Sequence, residues 1–443
     1  MRLRRWALPV VASFSLGWLG HSLVTPKLAH ADKANEPPHA TMEHLAKVLV
    51  QVENRYVDPV DRDRLLAGAI KGLVSELDPH SEFYTPKEYA DFLAETNGTF
   101  GGVGLEVDGR GEYLTIIAPI EGGPAEKAGL KPGDEIVAID GDDAKGISVE
   151  KSVRRMRGKP GTKVELTIRR PSDGKVYKVP LVRAEIHVPS VRGHVLPGNI
   201  VYLRLVQFQE TTHAELLETV TKLKAKIGGK IAGVVLDLRR NPGGLVKQAV
   251  LVADEFLDKG VIFSMKGQGG KTLEEAKASA GGALVEPKLA VLVDDGSASA
   301  AELLAGALQD HKRATIVGTT TYGKGSVQSL IELPGGGGLK LTTARYYTPN
   351  GRAIQAQGVE PDLVVEATRA LDDKPLPFLK EKDLPNALPP EAGKPLPNAA
   401  GTLDTKPKVT PPAVAHEPNL EKDFPLRMAH QVVSAKVKGA PVP

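Results

Sequence analysis

The sequence predicts an α/β core built on a mixed sheet. A helical segment and a small β-rich module precede it, and a proline-rich tail follows. Three observations predict this. Apolar strand-like runs alternate with amphipathic helical runs over residues 184–366, the pattern of an α/β core. Short β-branched runs punctuated by glycine fill residues 98–183, as in a compact β module. Of the 34 prolines, 14 fall in the last 77 residues. That density opposes a packed core, so residues 367–443 read as a mostly extended tail.

The chain begins with Arg2, Arg4 and Arg5, an uncharged run from Trp6 to about Pro26, and the small-x-small triplet Ala29-His30-Ala31. Residues 1–31 therefore read as an export signal with a cleavage site. An uncleaved anchor in the inner membrane is the competing reading, because about 20 apolar residues span a bilayer. Gly17, Gly20, His21 and Ser22 weaken that run. Under either reading the basic end stays inside and the body faces a periplasmic or other extracytoplasmic space.

Residues 32–97 read as helices. Val48, Leu49, Val52 and Tyr56, then Leu65, Leu66, Ala69, Ile70 and Leu73, recur at helical spacing. Thr85-Pro86 opens a further helix with proline at its first position. In the β-rich module Leu114–Ala118, Glu135–Ile139 and Lys163–Ile168 are strands, with helices at Pro124–Gly129 and Ser148–Met156. The core reads as strand Ile200–Leu205, helix Thr212–Ile227, strand Ile231–Leu238, helix Leu245–Leu257, strand Leu289–Val293 and helix Ala300–Gln309. Ile231–Leu238 is nearly continuous in apolar residues, as in a strand buried on both faces. Phe424–Val437 reads as one short helix within the tail.

Composition removes several classes of function. Net charge is +3 on 443 residues, too balanced for a nucleic-acid binder, and aromatics at 5% supply no base-stacking surface. Zero cysteines exclude thiol catalysis, disulfides and cysteine-ligated metals. No His-Glu-x-x-His is present, so no zinc protease is indicated.

The residues that suggest chemistry lie in the core. Ser299 follows a buried strand and opens a helix. Unpaired N–H groups there, including that of Ala300, suit a nucleophile beside an oxyanion site. The structural alternative is that Ser299-x-x-Glu302 is only a capping box. A nucleophilic serine needs a base. His311 would sit about 18 Å along the same helix, out of reach. Lys324, in Tyr322-Gly-Lys-Gly-Ser-Val-Gln328, is the available base if burial lowers its pKa. Gln328 would share its strand face and orient it; the alternative is a solvated turn lysine. Asp237-Leu-Arg-Arg-Asn-Pro-Gly-Gly244 follows another buried strand. Gly243 or Gly244 there could complete an oxyanion hole at the carboxyl end of the sheet, or form an ordinary turn. Gly318–Lys324 is one residue short of a P-loop, and Gly325 stands where the Mg²⁺-binding hydroxyl belongs.

Together these blocks resemble the carboxyl-terminal processing (tail-specific) proteases of peptidase family S41. Asp237-Leu-Arg-x-Asn-Pro-Gly-Gly244, Ser297-Ala-Ser-Ala-Ala-Glu302, Gly323-Lys-Gly-x-x-Gln328 and Thr342–Gly351 leading to Gly358–Asp362 stand in family order. The resemblance covers about residues 40–366. It implies Ser299 as nucleophile, Lys324 as general base and Gln328 as the residue orienting Lys324. It also implies an oxyanion hole from the N–H of Ala300 with that of Gly243 or Gly244, and a capping role for Glu302. Residues 98–183 resemble a PDZ domain. There Phe100-Gly-Gly-Val-Gly-Leu105 would receive a peptide carboxylate on the N–H groups around Val103, Gly104 and Leu105, and the peptide would add as a strand.

The expected function is an exported serine endopeptidase that grips protein C-termini and cleaves near apolar tails through an acyl-enzyme, without metal or organic cofactor. The alternative is a non-catalytic PDZ scaffold. The expected partners are protein or peptide substrates with free apolar C-termini, and the resemblance admits an adaptor protein. It also implies a homo-oligomer, with residues 40–96 and 415–440 as candidate contacts. No nucleic-acid partner is expected, and membrane contact would come only through an uncleaved N-terminal segment.

Overall fold

The computed structural model describes residues 38–96, 99–109, 112–366, 379–390 and 418–441. The export-signal region, residues 1–31, lies outside the described residues, as does most of residues 367–417. Among the described residues no helix is long and apolar enough to cross a membrane.

Contacts divide the chain into two units, residues 1–70 and 71–443. The first holds helix Pro38–Arg55 and the start of helix Arg62–Ser75. Arg62 and Glu53 form an ion pair between them, Nη2 to Oε2 2.7 Å. Leu45 and Val48 on the first helix are exposed.

The second unit begins with a strand that the sequence does not announce, β1 (Glu82–Tyr84), followed by helix Pro86–Thr96. The β-rich module comprises β2 (Thr99–Gly102), β3 (Leu105–Asp108), β4 (Leu114–Pro119), β5 (Glu135–Ile139), β6 (Asp142–Asp143), β7 (Lys163–Arg170), β8 (Lys175–Val182) and β9 (Ala184–His187). Strands β2 and β9 pair as a separate ribbon, and the sheet runs β3-β4-β5-β7-β8. Alternation along β7 turns Val164, Leu166 and Ile168 inward onto Ile116, Ile136 and Ile139. Helix Val149–Met156 is capped by Ser148, whose hydroxyl accepts the Lys151 N–H.

The core sheet joins β10 (Val191–Leu196), β11 (Ile200–Leu205) and β12 (Gly233–Asp237). A second sheet contributes β13 (Gly260–Lys266) and β14 (Thr272–Ala278) before the core sheet resumes with β15 (Lys288–Val293) and β16 (Thr315–Gly318). Strands β17 (Ser326–Glu332) and β18 (Gly338–Tyr347) belong to the second sheet, and β19 (Leu363–Val364) closes the first. Core order is β10-β11-β12-β15-β16-β19. The β10–β11 pair is antiparallel and the others parallel, so the sheet is mixed. In the second sheet β18 pairs with β1, β13 and β17.

Both faces of β12 are covered, as its apolar run predicts. Val234 and Leu236 pack with Leu216, Val252 and Leu304 from helices Thr212–Lys226, Val246–Asp254 and Ala300–Asp310. Val235 packs on the opposite face with Leu292, Val317, Leu426, Ala429, Val432 and Val433. The last four come from helix Phe424–Lys438. The helix expected at Phe424–Val437 forms, over Phe424–Lys438, and it is the second cover for the sheet, a packing role that its sequence did not announce. Residues 379–390 likewise pack down, with Glu381 fully buried.

Candidate active site

Ser299 stands at the end of the turn that follows β15, directly before helix Ala300–Asp310. Its backbone is at φ 57°, ψ −117°, a conformation that costs an L-residue roughly 1–3 kcal/mol and persists where the surroundings enforce it. The amide of Glu302 donates to the Ser299 carbonyl at 2.9 Å. Glu302 does return its carboxylate to the Ser299 N–H, at 2.7 Å. Capping therefore accounts for Glu302 only in part. The half-buried Ser299 hydroxyl is hydrogen-bonded to the phenol of Tyr346.

Lys324 lies two residues before β17. Its backbone N–H donates to Glu302 Oε2 at 2.9 Å, the oxygen that also takes the Ser299 N–H. The two backbone nitrogens are therefore within about 6 Å of one another. Burial pushes the Lys324 amine below its ordinary value, and the positive charge of Lys340 adds to this. The carboxylates of Glu381, Asp78 and Glu302 oppose it. Buried Tyr346 donates its hydroxyl to the Lys324 carbonyl. Burial, reinforced by Glu302, raises that phenol well above its usual value, so it stays protonated.

The glycine loop comes between the two. An added Cβ on Gly243 (φ +97°) would fall 2.8 Å from Ser299 Cβ and 3.0 Å from Ala300 N, so only glycine permits this approach. The Gly243 N–H already donates to Asn241 Oδ1 at 2.8 Å. Among the described residues no partner takes the N–H of Gly244 or of Ala300, and Gly244 is exposed where Gly243 is buried. These two N–H groups therefore differ from that of Gly243, which is already paired.

Gln328 pairs with Thr342 across β17–β18, beside a β-bulge. Its amide donates to Ser326 Oγ at 3.0 Å and Thr342 Oγ1 at 3.2 Å, and Thr342 Oγ1 donates to Asp78 Oδ1 at 3.1 Å. No hydrogen bond links it to the Lys324 amine among the described residues. Its carbonyl oxygen takes no part in these bonds. His311 follows the far end of helix Ala300–Asp310 and bonds the Val261 carbonyl at 2.7 Å.

In the β-rich module the loop Val103-Gly104 joins β2 to β3, with Gly104 at φ +73°. The carbonyls of Val103 and Gly104 accept the Ala125 and Ile120 N–H groups, fixing the loop. Leu105 opens β3, an edge strand of its sheet. An open edge beside a fixed glycine loop is the geometry for accepting an added strand.

Comparisons with known proteins agree with these blocks. The family model for peptidase family S41 matches residues 199–365, that of the PDZ domain residues 115–170, and that of the activating protease CtpB N-terminal domain residues 16–88. The carboxy-terminal-processing protease of Bartonella bacilliformis is 41% identical over 350 residues, covering 79% of this chain and 80% of the relative.

The chain belongs to peptidase family S41.

Carboxy-terminal processing protease CtpA of Bacillus subtilis is 37% identical over 338 residues, covering 76% of this chain and 71% of the relative. Among solved structures, the photosystem II D1 C-terminal processing protease is 32% identical, with 72% of this chain and 92% of that one covered at a TM-score of 0.45.

One feature of this S41 chain had no signal in the motif blocks. The segment 379–390 lies on the lysine loop: Lys380 Nζ donates to the Thr320 and Thr321 carbonyls, both at 3.1 Å. Glu381 meets His80 Nε2 at 2.6 Å and Gln355 Nε2 at 2.9 Å. The negative charge of Glu381 raises the Lys324 pKa, working against the neutral amine. Removing it with Glu381→Gln leaves Lys324 neutral at lower pH. The acid limb of the pH–kcat profile is expected to move to lower pH, which a profile on a peptide substrate checks; a shift the other way contradicts this account.

Proposed function

We propose that this S41 peptidase is an exported serine endopeptidase with a Ser299–Lys324 dyad that cleaves protein substrates near their C-terminal tails. The observation that carries the reading is the strained Ser299 tied through one carboxylate oxygen to a lysine whose amine is pushed toward neutrality. The Ser299 hydroxyl attacks the scissile carbonyl and passes its proton to Lys324 Nζ. The oxyanion of the tetrahedral intermediate is held by the N–H groups of Ala300 and Gly244. Lys324 then protonates the departing amine, leaving an ester on Ser299. Water attacks that ester and gives a proton to Lys324; the ester C–O bond then breaks, Lys324 returns the proton to Ser299 Oγ, and the new C-terminus leaves with serine and neutral amine restored. Gln328 accepts from the amine and orients it.

The PDZ module captures the free C-terminus of the substrate. Its carboxylate sits on the N–H groups around Val103, Gly104 and Leu105, and the tail adds along the open edge of β3. Relatives named for C-terminal processing support this substrate class. The basic start and Ala29-His30-Ala31 support export. Homo-oligomers and an adaptor stay within the proposal as the family resemblance implies them.

The test uses an unfolded reporter with an apolar C-terminus, offered as free acid or as amide. Wild type is expected to cleave the acid at least about tenfold faster at subsaturating substrate, since a lost charge-assisted carboxylate contact costs about 1.5–3 kcal/mol. Ser299→Ala is expected to cleave neither. Cleavage by Ser299→Ala removes the dyad, and equal rates on acid and amide remove C-terminal capture.

A further inference from the structure

We infer that Glu302 is a positioning residue for the dyad, its carboxylate being the tie that holds the nucleophile turn and the lysine loop in register; this rests on the Ser299–Lys324 reading. A helix cap needs one carboxylate oxygen on one backbone N–H. Glu302 receives four donors and is fully buried. Oε2 takes the N–H of Ser299 at 2.7 Å and of Lys324 at 2.9 Å. Oε1 takes the N–H of Gly323 at 2.7 Å and the hydroxyl of Thr321. Three of the four donors come from residues 321–324, on a different segment from the helix that Glu302 belongs to. They have nothing to do with capping.

The chemistry of the four donors explains why glutamate is required. Each carboxylate oxygen has two acceptor sites, and four converging donors fill both pairs. Glutamine of the same shape turns one oxygen into an NH₂ group that would point its hydrogens at two other donors, so one arm of the tie must open. Either arm includes a backbone N–H of residues 323–324. Burial pushes Glu302 up to about 7, against the hydrogen bonds from Thr321, Gly323, Ser299 and Lys324. A group so costly to bury stands beside two residues whose relative placement decides the reaction. A misplacement of about 1 Å between reacting groups lowers rate by about a hundredfold.

The experiment measures the rate of Ser299 labelling by a fluorophosphonate probe, kcat and KM on a peptide reporter, and thermal melting, in full-length wild type, Glu302→Gln, Glu302→Asp and Ser299→Ala. Glu302→Gln is expected to fold, to lose about a hundredfold in both labelling rate and kcat, and to keep KM within about threefold. Glu302→Asp retains the charge with a shorter reach and is expected to recover part of the labelling rate. A Glu302→Gln protein that melts lower but labels at the wild-type rate per folded molecule overturns the inference and leaves the dyad intact. Cleavage by Ser299→Ala takes down the dyad and the inference together. Should Glu302→Gln fail to fold, Thr321→Val removes one donor, together with the acceptor of the Val359 N–H, while keeping the side-chain shape. Its labelling rate is expected to fall at least about threefold at unchanged KM, and an unchanged rate overturns the inference.

Discussion

Lys324→Met is expected to lower kcat by about a thousandfold, within the 10²–10⁴ range of a general base, while the protein keeps its fold and KM changes little. Methionine fills the same space without an amine, so the change isolates proton transfer from packing. The site supports this in two ways. The amine sits where burial disfavours its charge, and its backbone shares a carboxylate oxygen with Ser299. The sign of the pH dependence follows. Only a neutral amine accepts a proton, so wild-type kcat is expected to rise with pH through the lowered Lys324 pKa. The residual rate of Lys324→Met should lack that rise. Near-wild-type turnover in Lys324→Met, measured by steady-state kinetics on a peptide reporter, would mean another base is at work.

Ending the chain at residue 417 is expected to leave an insoluble or unfolded core. Helix Phe424–Lys438 buries Leu426, Ala429, Val432 and Val433 against the sheet. Each larger side chain of this set contributes about 1.5–3 kcal/mol. Their sum is comparable to the net stability of a domain, and the truncation also uncovers Val235, Leu292 and Val317. The helix is tied to the active-site loop as well. Asp423 caps it by accepting the Leu426 N–H at 3.0 Å. The same carboxylate takes Arg239 Nη1 and Nη2 at 2.9 and 2.8 Å. Arg239 in turn grips Asp237, Nη2 to Oδ2 2.6 Å, at the head of the glycine loop. Asp423→Ala is the milder form of the experiment. Breaking a largely buried pair costs about 3 kcal/mol, read as a lower melting temperature. A soluble, fully active chain ending at 417 would contradict this role for the helix.

The sequence disclosed the core strands closely because their apolar runs are continuous and bounded by turn residues. Ile200–Leu205 and Glu135–Ile139 match strands residue for residue. Ser299, Lys324 and the Gly243-Gly244 loop could be singled out from the sequence because each lies in a glycine- or serine-rich turn that follows an apolar strand. The rest of the site depends on contacts distant in sequence. Tyr346 meets Lys324 only because β18 pairs with β17. Glu302 looked like a cap because three of its donors lie about twenty residues away. The Gln328–Lys324 bond expected from strand alternation is not made. β17 starts after Lys324, and the Gln328 amide turns to Ser326 and Thr342 instead. The C-terminal helix was visible as a helix, but its burial was not. A strand covered on both faces needs two covers, and nothing local says which distant segment provides the second.

Peptide mapping of the protein after reaction with a fluorophosphonate tests the central claim most directly. The account predicts one adduct, on Ser299, forming faster as pH rises, and at least about a hundredfold slower in Lys324→Met. An adduct on any other residue, or wild-type labelling of Ser299 in Lys324→Met, would contradict it.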